Sequence, residues 1–201
     1  MAGEVAGLEP ADAESEVPSG LPEDELGVMW DTVPRLLAQH RYLVLATADG
    51  DGRPWATPVF YAADGERRIL WVSAPDSRHS RNIAARPDVA ITVFDTHAPI
   101  GGAEALYLEA TAEPVAADAR VAALALLNTR VPASHRLGPE DLEPAGPLRV
   151  YQAVITSHFV LVRGGDTRFD NVTDARLPVT PPGPGTSPPR GSAARGATGK
   201  L

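Results

Sequence analysis

Cysteine is absent from the 201 residues, which excludes a disulfide framework and a thiolate metal centre. No apolar run reaches membrane-spanning length, and the first residues lack a basic stretch followed by an apolar core. A cytoplasmic protein without a membrane contact is therefore expected. A basic stripe is also missing, which argues against nucleic acid as a partner. The five histidines (His40, His79, His97, His135 and His158) stand far apart, with no pair at metal-ligand spacing, so no metal site is expected. There is no nucleophile elbow, no phosphate-binding P-loop, no Gly-x-Gly-x-x-Gly turn after a strand and no internal repeat.

The charge that is present is unevenly placed. Residues 1–26 hold eight acidic side chains (Glu4, Glu9, Asp12, Glu14, Glu16, Glu23, Asp24, Glu25) and no basic one, whereas the whole chain is net −8. The remainder is close to neutral, so the acidity belongs to a tail. Low apolar content with Pro, Gly and Glu makes residues 1–22 a disordered acidic tail. At the other end, six prolines in residues 178–189 precede a Gly, Ala and Ser stretch with a few cations. Residues 176–201 thus read as a second, linker-like tail, leaving 26–175 as the folded domain.

Within that domain, residues 26–38 carry Leu26, Met29, Trp30, Val33, Leu36 and Leu37 at helical spacing, with Pro34 placed to split the helix. Three β-rich runs follow, at 42–48, 55–61 and 69–73, joined by Asp-Gly turns typical of hairpins. A helix over 77–85 closes at Arg86-Pro87. Further runs at 89–94 and 105–115 flank a Pro/Gly loop at 95–104, a length that is usually functional or mobile. A helix is expected over 116–128, an irregular stretch to 147, and one or two strands in 148–162. Many short strands joined by hairpins, with few helices, indicate an antiparallel barrel rather than a parallel nucleotide-binding sheet.

The chemistry concentrates where the third strand ends in Ser73 and a helix opens with Ser77, Arg78 and His79. A helix N-terminus presents unpaired N–H groups and the positive end of the dipole, and hydroxyls and cations placed there form a phosphate site. Arg81 lies one turn further on. The same Ser-Arg-His-Ser-Arg run also fits a solvated helix face capped locally by Asp76. Trp55 and Trp71, on strands, suit a core or an interface.

The ordered series of strand, Asp-Gly hairpin, Pro-containing strand, hairpin, strand, Ser-Arg-His helix, Arg-Pro and strand resembles the pyridoxamine 5′-phosphate oxidase-like, flavin-binding split-barrel superfamily, chiefly over residues 42–113. The resemblance implies a mainly β fold, a six-stranded antiparallel split barrel with a few flanking helices, and a homodimer with cofactor sites at the interface. It implies FMN, or alternatively the deazaflavin F420, with the phosphate held by Ser73, Ser77, Arg78, His79 and Arg81. His79 stands where relatives carry a lysine, making a weaker, pH-dependent cation. Thr57, Pro58 and Val59 match the segment whose backbone runs along the isoalloxazine ring. A fainter echo, Gly164-Gly165 followed by Arg168, implies a substrate contact from Arg168, although Asp170 replaces a histidine, Val172 an arginine, and Ala105 a flavin-contacting glutamine. The implied activity is a flavin-dependent oxidoreductase transferring hydride between FMN and a small molecule, with no general acid or base identified. An F420-dependent reductase, or a flavin- or haem-binding module without turnover, are the alternatives.

Overall fold

The computed structural model describes residues 29–142, 146–169 and 171–181. The expected tails at 1–22 and beyond 181 lie outside the described residues. Helix α1 (Thr32–Gln39) follows a helical turn through Met29 and Trp30, with a break at Asp31. Pro34 has no N–H for the Trp30 carbonyl and its ring crowds that oxygen, so the segment is split as expected. α1 buries Val33, Leu36 and Leu37.

Eight strands form one antiparallel sheet: β1 (Tyr42–Ala48), β2 (Pro54–Phe60), β3 (Ala62–Asp64), β4 (Arg68–Ser73), β5 (Asp88–Phe94), β6 (Ala105–Pro114), β7 (Arg149–Val162) and β8 (Ala175–Val179). Their spatial order is β2-β1-β5-β6-β7-β4-β3, and β8 pairs with the far half of β7. The Asp-Gly turns form as expected. Asp49 Oδ1 accepts from the N–H groups of Asp51 and Arg53 at 3.1 and 2.9 Å, and Gly52 takes φ 85°. Such a φ favours glycine, which has no Cβ to clash there.

β2 and β3 occupy opposite edges of the sheet, yet only Tyr61 separates them in sequence. The two edges must therefore meet, and the sheet curls into a half-barrel around the main core. Tyr61 is fully buried, and its hydroxyl donates to the Leu37 carbonyl at 3.0 Å.

The class is the expected one, but the strand count is eight rather than six. β3 is a three-residue strand after the Tyr61 corner. β8 was hidden by Pro178, which the edge of a sheet tolerates because no ladder hydrogen bond is lost there. Leu177 and Val179 point inward while Arg176 and Pro178 point out, so the folded part runs past residue 175. The region 148–162 is one 14-residue strand, half paired with β4 and half with β8.

The inner faces of β1, β4, β5, β6 and β7 share one core with α1 through Leu45, Ile69, Trp71, Ile91, Leu106 and Ile155. Leu70 and Val150 point the other way, onto helix α3 (Arg120–Asn128) through Ala123, Leu124 and Leu127. β4 is therefore buried on both faces, which explains its unbroken apolar run. Among the described residues, no helix is long and apolar enough to cross a membrane.

Candidate functional site at the start of the second helix

Helix α2 (Arg78–Ala85) leaves the end of β4 through a short turn. Ser77, extended at φ −63° and ψ 153°, is the N-cap, and its Oγ accepts from the Ser80 N–H at 3.3 Å. The cap is thus Ser77 rather than Asp76. At the far end the Arg86 N–H reaches the Asn82 carbonyl at 2.7 Å, and Pro87 forces Arg86 out of helical geometry. The N–H groups of Ser77, Ser80 and Arg81 have acceptors in Ala74, Ser77 Oγ and the Ser77 carbonyl. Those of Arg78 and His79 belong to the first turn, where the helix supplies no partner.

The hydroxyls gather beneath this turn. Ser73 Oγ lies 2.6 Å and Ser77 Oγ 3.1 Å from the same His79 Nε2, and Ser77 Oγ is 2.8 Å from Ser80 Oγ. His79 is only 8% exposed, and burial lowers its pKa from the ordinary histidine value. The expected pH-dependent cation is therefore biased toward the neutral form, and it serves as a hub that orients two seryl hydroxyls.

The cations take different positions. Arg78 is exposed and stacks its guanidinium 4.4 Å above the Trp55 ring. Arg81 turns back along the surface and donates to the Asp76 carbonyl. On the face that Arg78 shares with a residue one turn on, Asn82 Nδ2 donates to Thr47 Oγ1 at 2.9 Å, and Thr47 Oγ1 donates to the Trp55 carbonyl at 3.3 Å. Asn82 and Thr47 are both buried. This chain pins α2 to the β1–β2 hairpin and fixes where its first turn points.

β2 is a sheet-edge strand. Opposite Leu43, Leu45 and Thr47 of β1 lie Val59, Thr57 and Trp55, so these three share the inner face, with Val59 in the core. Pro58 points outward. The side chains of Thr57, Pro58 and Val59 thus line no common surface, and what they share is backbone.

Arg168 is placed elsewhere. Ser73 pairs with Arg149 at the start of β7, whereas Arg168 follows its end at Val162, roughly 40 Å of strand away at ~3.3 Å per residue. Within one chain, Arg168 and the α2 start are not brought together. Arg168 borders a cleft of about 330 Å³ with Met29, Glu104, Arg163 and Asp166. Asp166 accepts from its Nε and Nη2 at 3.0 and 2.6 Å, which lowers the Asp166 pKa. The Gly-Gly turn is real: Gly165 takes φ 83°, and a Cβ on Gly164 would stand 2.6 Å from the Val172 carbonyl. Asp170 lies outside the described residues, Val172 is exposed and Ala105 is buried.

Sequence reasoning missed Thr47, Asn82 and the role of Trp55. The available signal was a threonine at the third inward position of β1, after Leu43 and Leu45, where an aliphatic residue is the rule. His158 is structural, with Nε2 2.6 Å from the Glu66 carbonyl, and His97 is exposed beside Asp95. No cluster of three metal-ligating side chains exists among the described residues.

The family model described as pyridoxamine 5′-phosphate oxidase matches residues 29–158. No curated protein matches the chain. Among solved structures, the haem storage protein HutZ from Vibrio cholerae is similar with a TM-score of 0.54 and 20% identity, over 65% of this chain and 92% of that one. A haem-binding protein from Mycobacterium smegmatis gives 0.55 and 20%, over 70% of this chain and 54% of its own. At these identities the likeness is one of fold.

Proposed function

Because the chain belongs to the pyridoxamine 5′-phosphate oxidase family, we propose that it is a flavin-dependent oxidoreductase that holds FMN at the start of α2 and acts on a small molecule in the cytoplasm. The carrying observation is the convergence there of two N–H groups without a partner among the described residues, the dipole's positive end, the Ser73 and Ser77 hydroxyls and the exposed Arg78 guanidinium. This donor set suits a phosphate dianion. Ser73, Ser77 and Arg78 would hold it, the two hydroxyls turning their protons from His79 Nε2 and Ser80 Oγ to the phosphate, with Arg81 adding charge at the rim. The backbone of Thr57, Pro58 and Val59 would border the ring. The flavin, when bound, supplies hydride transfer; the protein binds, orients and excludes water.

The active unit is a homodimer. The outer face of β1, β2 and β5 carries Tyr42, Val44, Ala46, Phe60, Ala90 and Phe94, with Thr92 among them and its charge, Asp88, at the start of β5; Tyr42 is 63% exposed. A solvated sheet face normally alternates to polar residues, so such a face suits a second copy. A substrate role for Arg168 needs that copy, since its own α2 lies at the other end of the sheet.

A second reading, a haem-binding module without turnover, is favoured by the fold shared with a haem storage protein and a haem-binding protein. Mass spectrometry and absorbance of the purified protein separate the readings. Flavin bands and FMN mass support the proposal, F420 mass moves it to the deazaflavin on the same site, and a Soret band supports haem. A colourless protein that neither FMN nor F420 titrates refutes it. Arg78→Ala is expected to lose about 10- to 150-fold in FMN affinity, one charge-assisted hydrogen bond.

A further inference from the structure

Arg78 is exposed and carries one of the two first-turn N–H groups that have no partner among the described residues, and a long side chain at the surface has no fixed direction of its own. The usual way to fix an arginine is a carboxylate, yet no aspartate or glutamate pairs with Arg78 among the described residues. Its guanidinium instead lies 4.4 Å over the face of Trp55, which keeps 39% of its surface exposed at the strand edge. We propose that Trp55 is a positioning residue that presents the Arg78 guanidinium to the cofactor phosphate, an inference that rests on the phosphate site described above.

Two physical points carry it. A carboxylate would occupy the in-plane N–H donors of the guanidinium and cancel its charge, competing with an anionic ligand. An aromatic face attracts the cation from above and leaves its donor edge and net charge available. The platform is also registered to the helix it serves. The Trp55 carbonyl accepts from Thr47 Oγ1, which accepts in turn from Asn82 Nδ2. Asn82 and Arg78 are one helical turn apart on the same face. The β1–β2 hairpin therefore grips α2 at two points, fixing the helix through Asn82 and its first cation through the Trp55 ring.

The test titrates FMN and riboflavin, which lacks the phosphate, against wild type, Trp55→Leu and Trp55→Phe by quenching of ligand fluorescence. Trp55→Leu is expected to weaken FMN about three- to five-fold, in line with an exposed cation–π contact, and to leave riboflavin unchanged. Trp55→Phe is expected to recover most of the loss. Proton NMR of the Arg78 δ methylene should show a ring-current shift in wild type that Trp55→Leu abolishes, a readout that needs no cofactor. Equal losses for FMN and riboflavin would make Trp55 a ring contact and overturn the positioning role, as would unchanged FMN affinity or no rescue by phenylalanine. A ring-current shift in a wild type that binds no phosphorylated cofactor refutes the phosphate site and leaves the stacking as structure alone, which also ends the proposal.

Discussion

Cutting the pin between α2 and the hairpin gives the sharpest energetic test. Thr47 and Asn82 are 5% and 4% exposed, so neither can exchange its bond for one with bulk water. Asn82→Ala removes the donor at 2.9 Å but leaves the Thr47 hydroxyl its own donation to the Trp55 carbonyl. The loss is then that of one buried bond with a partly satisfied survivor, about 1–1.5 kcal/mol. Thr47→Val keeps the shape and strands the Asn82 amide, so it should cost about 2 kcal/mol. In the double variant the stranded donor is gone. Its cost should fall short of the sum of the two by about 1 kcal/mol, the coupling energy of a direct contact. Urea unfolding followed by circular dichroism reads all three, with unchanged m-values required so that the shifts report stability alone. Strict additivity would mean that the bond is not formed in solution, and the explanation of how α2 is aimed would fail with it.

Two further expectations follow from the same structure. Burial lowers the His79 pKa, so between the folded value and the unfolded value near 6.5 the unfolded chain binds more protons; the stabilising contribution is present above pH ~6.5 and is lost as pH falls through that window. The stability gap between wild type and His79→Gln, measured by urea titration from pH 7.5 to 5.5, should shrink toward acid; a constant gap would contradict it. Arg130 donates to the Leu37 and His40 carbonyls at the end of α1 and lies 5.2 Å over the Tyr61 ring, so Arg130→Met should destabilise by about 2 kcal/mol in thermal or urea unfolding, and a loss below about 0.5 would show that these bonds are not maintained.

The strands were legible where period-2 alternation coincided with turn chemistry. β1 and β5 alternate through Leu43, Leu45, Val89 and Ile91, and Asp-Gly marks the first hairpins. The helix start was legible because capping is local: Ser77 and Pro87 act within a few residues of their position. The contents of the site were less so. Arg78 meets Trp55, and Asn82 meets Thr47, only through the strand register and the docking of α2, which no local pattern encodes. His79 was read as a cation from its place in the motif, but its charge is decided by burial beneath a turn, a tertiary property. β8 was missed because a proline count over residues 178–189 outweighed the short alternation of Leu177 and Val179. The substrate end stayed obscure since Arg168 turns to Asp166, a partner two residues away that the spacing alone could not rank above a ligand.

The Tyr61 corner has a consequence for the order in which the molecule is assembled. Residues 42–73 contain both borders of the sheet, and the central strands β5, β6 and β7 come later in the chain. Isolated two-stranded hairpins are marginal in water, so the early half cannot hold its shape while it waits. β4, paired early with the border strand β3, finds its second neighbour only when β7 arrives, with Ser73 meeting Arg149. The β2 and β3 borders are synthesised before β5, β6 and β7, which lie between them. Folding is accordingly expected to be a late, concerted event dominated by distant pairings, which places the domain among slow folders. A chain truncated before Arg149 should keep only the β2-β1-β5-β6 pairings and a detached β3–β4 hairpin, without a barrel.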